Sequence, residues 1–110
     1  MNRAQALAEF ATFGKHKDEA IRIIVASSND EISSVHRLTL ATVFNVLTRC
    51  LAGEIGLEDL ELWANVIESR SDIDYNDVEG VIYALSNNEQ MGGIDIEKIK
   101  KLIGLLKVAN

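Results

Sequence analysis

The chain has 110 residues, of which 47% are hydrophobic, and a formal net charge of −6. This length predicts a single domain over 1–110, and this hydrophobic fraction excludes an intrinsically disordered chain. The acidic balance argues against direct nucleic-acid binding, because neutralising phosphates requires clustered lysine and arginine side chains.

The first two predicted helices cover the N-terminal half of the chain. One spans about 2–27 and either runs through Gly14 or is split there, since glycine costs about 1 kcal/mol relative to alanine inside a helix. The next spans about 33–52. Its apolar side chains cover much of its girth, which indicates a central, buried helix. Its β-branched residues would also allow a strand, but the segment is too long for one in a small domain. Gly53 is its expected C-terminal cap.

Two further helices are predicted in the acidic part of the chain. Apolar residues at helical spacing indicate a third helix over about 57–69 and a fourth over about 76–86, with a loop at 71–75 between them. Asn76 followed by Glu79 comes close to a capping box at the start of the fourth helix.

A fifth helix is expected after Asp95, which can cap its N-terminus. Lysines late in this helix suit its dipole. The loops at 27–30 and 87–93 are short, so consecutive helices should lie nearly antiparallel in one compact bundle. The predicted fold is therefore an all-α, single-domain bundle of about five helices.

The negative charge is concentrated in one stretch. Residues 53–97 contain twelve acidic side chains and one basic one, Arg70, so they carry a charge of −11, whereas the rest of the chain carries +5. One interpretation is a solvated face that keeps the protein soluble. The other is a negative field that steers a basic partner.

Few side chains suggest catalysis. His16 and His36 lie in no known catalytic pattern and are expected at the surface or half buried. Cys50, the only cysteine, cannot form an internal disulfide, fits a reducing cytosol and is expected to be a buried thiol. Trp63 is interpreted as a core residue, with an exposed interface anchor as the alternative.

The segment 72–76 begins like a calcium-binding loop but does not complete the pattern. Asp77 occupies the position where the sharp turn needs glycine, and Tyr83 occupies the position of the bidentate glutamate. Arg70 is expected to brace a neighbouring carboxylate. We therefore expect no enzyme activity, no metal site and no cofactor.

The N-terminal residues carry charges throughout, which is untypical of a signal peptide. No apolar run in the sequence is long enough to span a membrane. Together with the single cysteine, these features favour a cytoplasmic protein.

One part of the sequence resembles a known family. Trp63–Ile73 reads W-A-x-x-I-E-x-R-x-D-I, and Leu85–Glu89 reads L-x-N-x-E after an apolar helix. This pattern, over about 57–92, resembles the small helical immunity proteins of bacterial contact-dependent growth inhibition systems. Similar proteins often have proline after the asparagine that matches Asn87, whereas this chain has Asn88.

The resemblance implies a protein that binds and neutralises the C-terminal domain of a cognate toxin, often a nuclease that cleaves RNA. The charge distribution is compatible with this, because an acidic face can occupy the basic cleft of a nuclease. The oligomeric state stays open, as does the choice between plugging the active site and binding beside it. The predicted partner-binding residues are Glu58, Asp59, Glu61, Glu68, Asp72, Asp74, Tyr75 and Asp77.

Two other functions stay open at the level of sequence. A helical adaptor or antitoxin-like regulator could bind a partner helix in a hydrophobic groove, if the apolar girth of the second helix exceeds what the bundle covers. A small enzyme would require a convergent pocket lined by acids with perturbed pKa values.

Overall fold

Six α-helices form the fold in the computed structural model, which describes residues 2–26, 36–86 and 95–109 and the side chains as far as 107. The helices are α1 (Arg3–Ala11), α2 (Lys17–Ala26), α3 (Leu40–Leu51), α4 (Leu57–Ser69), α5 (Glu79–Ser86) and α6 (Ile96–Ala109). Two strands, β1 (His36–Arg37) and β2 (Ile73–Asp74), and a 3₁₀ helix (Asn76–Val78) complete the described elements. The all-α prediction is confirmed, with six helices rather than five.

The additional helix arises from a break at Gly14. Its N–H donates to the carbonyl of Glu9 at 2.8 Å, which ends α1 with a tight turn. A side chain at Gly14 would place its Cβ 2.9 Å from that carbonyl oxygen, so only glycine fits there without a shift of the backbone. The preceding residue, Phe13, adopts a positive φ of 53°. Two guanidinium N–H groups of Arg49 donate to the carbonyls of Thr12 and Phe13 at 3.2 and 3.1 Å and hold this turn.

The predicted second helix starts later than the sequence suggests. β1 occupies part of the segment 33–52, and α3 begins at Leu40 with Thr39 as its N-cap. β1 pairs in parallel with β2 inside the predicted loop 71–75. Backbone N–H groups of His36 and Leu38 donate to carbonyls across this ladder at 3.0 and 2.8 Å. A partner strand distant in sequence therefore overrides the local helical pattern.

α3 itself is buried as predicted and packs against α6. Its inward side chains are Val43, Val46, Leu47 and Cys50. Leu51, which is 37% exposed, is the most exposed large apolar side chain of α3. The bundle therefore covers most of the apolar girth of this helix, with Leu40 and Phe44 half buried. Gly53, with φ 84°, lies just beyond the helix and confirms the predicted cap.

The helices pack as three pairs, α1 with α2, α4 with α5, and α3 with α6. Consecutive helices are neighbours in the first two pairs, whereas α3 takes the last helix of the chain as its partner. Trp63 of α4 is 2% exposed, and its indole N–H donates to the Phe10 carbonyl at 3.0 Å. The prediction that Trp63 is a core residue is thus confirmed, and its hydrogen bond ties α4 to α1.

The sequence predicts the start of α6 correctly but not the start of α5. Asp95 caps α6, since its carboxylate accepts the N–H of Lys98 at 2.8 Å. The capping box expected at Asn76 is wrong, because that residue lies within the 3₁₀ helix that precedes α5. The predicted loops at 27–30 and 87–93 lie outside the described residues. None of the helices in the described ranges has the length and apolarity needed to cross a membrane.

Candidate protein-interaction face

The first turns of α4 present acidic side chains to solvent. Glu58 and Asp59 are exposed in the first turn, and Glu61 is half buried one residue before Leu62. Within the described part of the chain, these three carboxylates make no hydrogen bond or ion pair. Acids at this position suit the positive end of the helix dipole, so the negative charge is retained at low energetic cost. We call Glu58, Asp59 and Glu61 the α4 acidic face.

An apolar side chain lies among these acids. Leu62 is 62% exposed, and it follows Glu58 by four residues and Asp59 by three, which places all three on one side of the helix. The opposite side of α4 is buried through Leu60, Trp63, Ala64 and Ile67. The helix is thus fixed by its core side, and its outer side combines negative charge with one exposed leucine.

Asp72 is one of the predicted partner-binding residues, but its side chain is not exposed. It is 4% exposed, and its carboxylate accepts two N–H groups of Arg70 at 2.7 and 2.8 Å and one of Arg3 at 2.5 Å. The hydrogen-bonded Arg70 guanidinium lowers the pKa of Asp72, against the opposing effect of burial. The same bond raises the pKa of Arg70. The prediction that Asp72 faces a partner is therefore wrong, because two arginines already occupy its carboxylate.

The other acids of this segment also have intramolecular roles. The Asp77 carboxylate accepts two N–H groups of Arg37 at 2.9 and 2.5 Å, which ties the 3₁₀ helix to β1. The Asp74 carboxylate accepts the backbone N–H of Asn76 at 3.0 Å. Both carboxylates stabilise the connection between β2 and α5, so they are poorer candidates for partner contacts than the acids of α4.

Glu68 and Tyr75 contact each other at the far end of α4. The Tyr75 hydroxyl donates to the Glu68 carbonyl at 3.3 Å, and the Ser86 hydroxyl donates to the Glu68 carboxylate. Tyr75, one of the predicted partner-binding residues, is half buried against the core. Both side chains therefore join α4 to the segment that follows it.

The possible reactive groups occupy settings that do not favour catalysis. Cys50 is 3% exposed, and burial raises the pKa of its thiol, which disfavours the nucleophilic thiolate. His16 is exposed and His36 half buried, as predicted, and burial lowers the pKa of His36. Asp72, whose pKa is lowered, is held by Arg3 and Arg70. Cys50 is thus a buried side chain of the core, and Asp72 is part of an ion-pair cluster.

Sequence reasoning missed Leu62 on the exposed side of α4 and Arg3, which binds the buried Asp72. Leu62 is off the buried stripe of α4, and helical spacing alone would have placed it outside. Arg3 binds Asp72, which lies 69 residues away in sequence, and no local pattern predicts that contact. The first residue could have been found from periodicity, whereas the second required the tertiary structure.

The chain matches no protein-family model, no curated protein and no solved structure. The exposed residues of α4 and the motif at Trp63–Ile73 are therefore the features that bear on function.

Proposed function

We propose that this protein is a bacterial immunity protein that binds and neutralises the basic domain of a cognate toxin, a nuclease, in the cytoplasm. The observation that carries the proposal is the α4 acidic face, whose carboxylates are free of partners within the described residues, beside the exposed Leu62. A protein partner is the occupant that this combination fits best.

The α4 acidic face is suited to fast recognition of a basic surface. No intramolecular ion pair among the described residues has to break before these carboxylates meet lysine or arginine. The helix is anchored by Trp63 and its neighbours, so little backbone ordering is needed on binding. Complementary charge raises the rate of encounter, which matters for a protein that must capture a lethal partner quickly.

The residues of the motif at Trp63–Ile73 support the proposal because they hold α4 in position. Trp63, Ile67 and Asp72 are buried, and Arg70 is bound to Asp72. These residues hold α4 and the segment after it in place. The motif thus describes the framework, and the preceding turns of α4 supply the surface that would meet the toxin.

The test compares two double charge reversals that alter net charge equally. E58K/D59K changes the α4 acidic face, and E19K/E97K changes acids in the first turns of α2 and α6. Both pairs remove acids from helix N-termini, so their effects on the helix dipole are matched. Association with the purified C-terminal toxin domain encoded by the neighbouring upstream gene is measured by stopped flow at low and high salt.

We expect E58K/D59K to slow association by about tenfold or more at low salt, with a smaller effect at high salt. The E19K/E97K variant should bind at nearly the wild-type rate. In the same assay, wild-type protein should abolish the nuclease activity of the toxin domain. Absence of binding, or equal slowing by both double variants, would refute recognition through α4.

A further inference from the structure

A groove of about 250 Å³ lies between α2 and α4, directly beside the α4 acidic face. Its sides are apolar, formed by Ile21 from α2 and by Leu62 and Val66 from α4, and the buried Trp63 lies at its base. Val25, one helical turn beyond Ile21, is 68% exposed and extends the apolar surface along α2. The groove thus exposes apolar side chains that the core leaves uncovered.

The base of this groove is held by a fixed set of contacts. The Trp63 indole N–H is bonded to the Phe10 carbonyl at 3.0 Å, and its ring lies 6.3 Å from that of Phe13. Arg49 in turn binds the Phe13 carbonyl at 3.1 Å. Since these contacts exist in the free protein, the groove does not have to be formed by its occupant.

The rim of the groove is negative. Lys17 is neutralised by Asp18, with the ammonium nitrogen 3.0 Å from the carboxylate and 4.9 Å from the centroid of the Phe13 ring. Asp59 also lines the groove and has no ion-pair partner in the described ranges. Glu58, which precedes Asp59 in α4, is exposed. An occupant with positive charge next to an apolar group is therefore complementary to the rim and to the groove together.

The volume of the groove limits the size of its occupant. Pockets for drug-sized ligands span about 300–1,000 Å³, so a groove of 250 Å³ is better matched to one or two side chains of a protein. An apolar anchor in a preformed pocket with charged residues around it is the usual arrangement of an interface hot spot.

We propose that this groove receives an apolar side chain of a basic segment, with flanking lysine or arginine residues paired to Asp59 and Glu58. That the segment belongs to a toxin domain rests on the proposed function, whereas the chemistry of the occupant follows from the groove itself. The apolar anchor governs the lifetime of the complex, and the α4 acidic face governs its rate of formation.

The test uses two leucines of nearly equal exposure. Leu62 is 62% exposed in α4, and Leu105 is 64% exposed in α6. L62A removes one side of the groove, and L105A makes the same chemical change on a different helix. Dissociation of the toxin domain is measured for each variant, and circular dichroism checks that both keep the wild-type fold.

We expect L62A to raise the dissociation rate by about tenfold while the association rate changes by less than about twofold. L105A should leave both rates unchanged. Equal dissociation rates for wild type and L62A, or equal effects of the two variants, would overturn the groove assignment.

A second probe separates this inference from the proposed function. The probe is a synthetic amphipathic helical peptide with a stripe of leucines flanked by lysines, and its binding is followed by methyl shifts of Ile21, Leu62 and Val66. Shifts that L62A abolishes and L105A does not, without toxin binding, would support the groove and refute the toxin. Slow association of E58K/D59K with normal L62A dissociation would support the proposed function and refute the groove. Binding of neither toxin domain nor peptide would refute both.

Discussion

The first turns of α4 and the segment 70–77 are both rich in acids. The two regions differ in whether these acids are paired with arginines. Asp59 is exposed and makes no ion pair in the described part of the chain, whereas Asp72 is 4% exposed and bound by two arginines. Asp77 lies between these extremes, paired with Arg37 at the surface. The density of acids in a sequence therefore does not tell which carboxylates are available to a partner.

The difference follows from where the arginines are. Arg70 is two residues from Asp72, and Arg3 and Arg37 arrive from α1 and β1. No arginine in the described ranges forms an ion pair with the α4 acidic face. Carboxylates that meet arginine during folding become part of the scaffold, whereas Glu58 and Asp59 stay exposed.

The largest loss of stability is expected for D72N, which removes the buried carboxylate that both arginines bind. Removing the charge leaves two guanidinium groups without their carboxylate, and the free energy of unfolding should fall by about 2–3 kcal/mol. The value lies below the range for fully buried pairs, because Arg3 and Arg70 keep 16% and 21% of their side-chain exposure. Urea denaturation followed by circular dichroism measures the change.

The control is D59N, which makes the same substitution at the exposed end. We expect a change of only about 0.3 kcal/mol, from the loss of one charge at the start of α4. Similar losses for the two variants would mean that the ion-pair cluster contributes no more than a surface carboxylate.

The pH dependence of stability should also distinguish the buried Asp72 from the exposed Asp59. The Arg70 guanidinium holds the pKa of Asp72 below its ordinary value of 3.8. A lowered folded-state pKa stabilises the fold fully above the unfolded-state pKa, and this stabilisation is lost as the pH falls through the folded-state pKa. Between about pH 5 and about pH 2, stability should therefore fall more steeply in wild type than in D72N.

Denaturation midpoints across this pH range provide the measurement. D59N retains Asp72 and should follow the steep wild-type profile. If the wild-type and D72N profiles ran parallel, Asp72 would not be the group whose protonation weakens the fold.

The smallest effect is expected for the surface pair. Arg37 and Asp77 keep 69% and 43% of their side-chain exposure, so water weakens their attraction. A double-mutant cycle with R37A and D77A should give a coupling energy of about 0.2–1 kcal/mol, reduced in about 1 M salt. A coupling as large as the loss in D72N would place Asp77 with the buried cluster instead of between the two extremes.

Local signals in the sequence account for much of the helical fold. The predicted third helix, 57–69, has the bounds of α4, and the fourth ends at Ser86 as α5 does. Asp95 caps α6, and Trp63 is buried in the core. These features depend on apolar spacing and on side chains that bind backbone a few residues away, so a single stretch of sequence is enough to specify them.

The candidate site was less predictable. Of the predicted partner-binding residues, Glu58, Asp59 and Glu61 stay without intramolecular ion pairs or hydrogen bonds among the described residues, whereas Asp72 is buried and Tyr75 half buried. Leu62, the apolar side chain beside them, was absent from the prediction. Charge can be read from sequence, but exposure depends on which elements pack together.

The sequence by itself determined an acidic, helical domain and the positions of most of its helices, because helix formation depends on neighbours three or four residues apart. Tertiary structure decided the pairing of β1 with β2, the partnership of α3 with α6 and the burial of Asp72 under Arg3. Those contacts join segments that are distant along the chain, and only the packing of the core fixes which of them meet. For the same reason, the fold and not the sequence selects the acids that remain free to bind a partner.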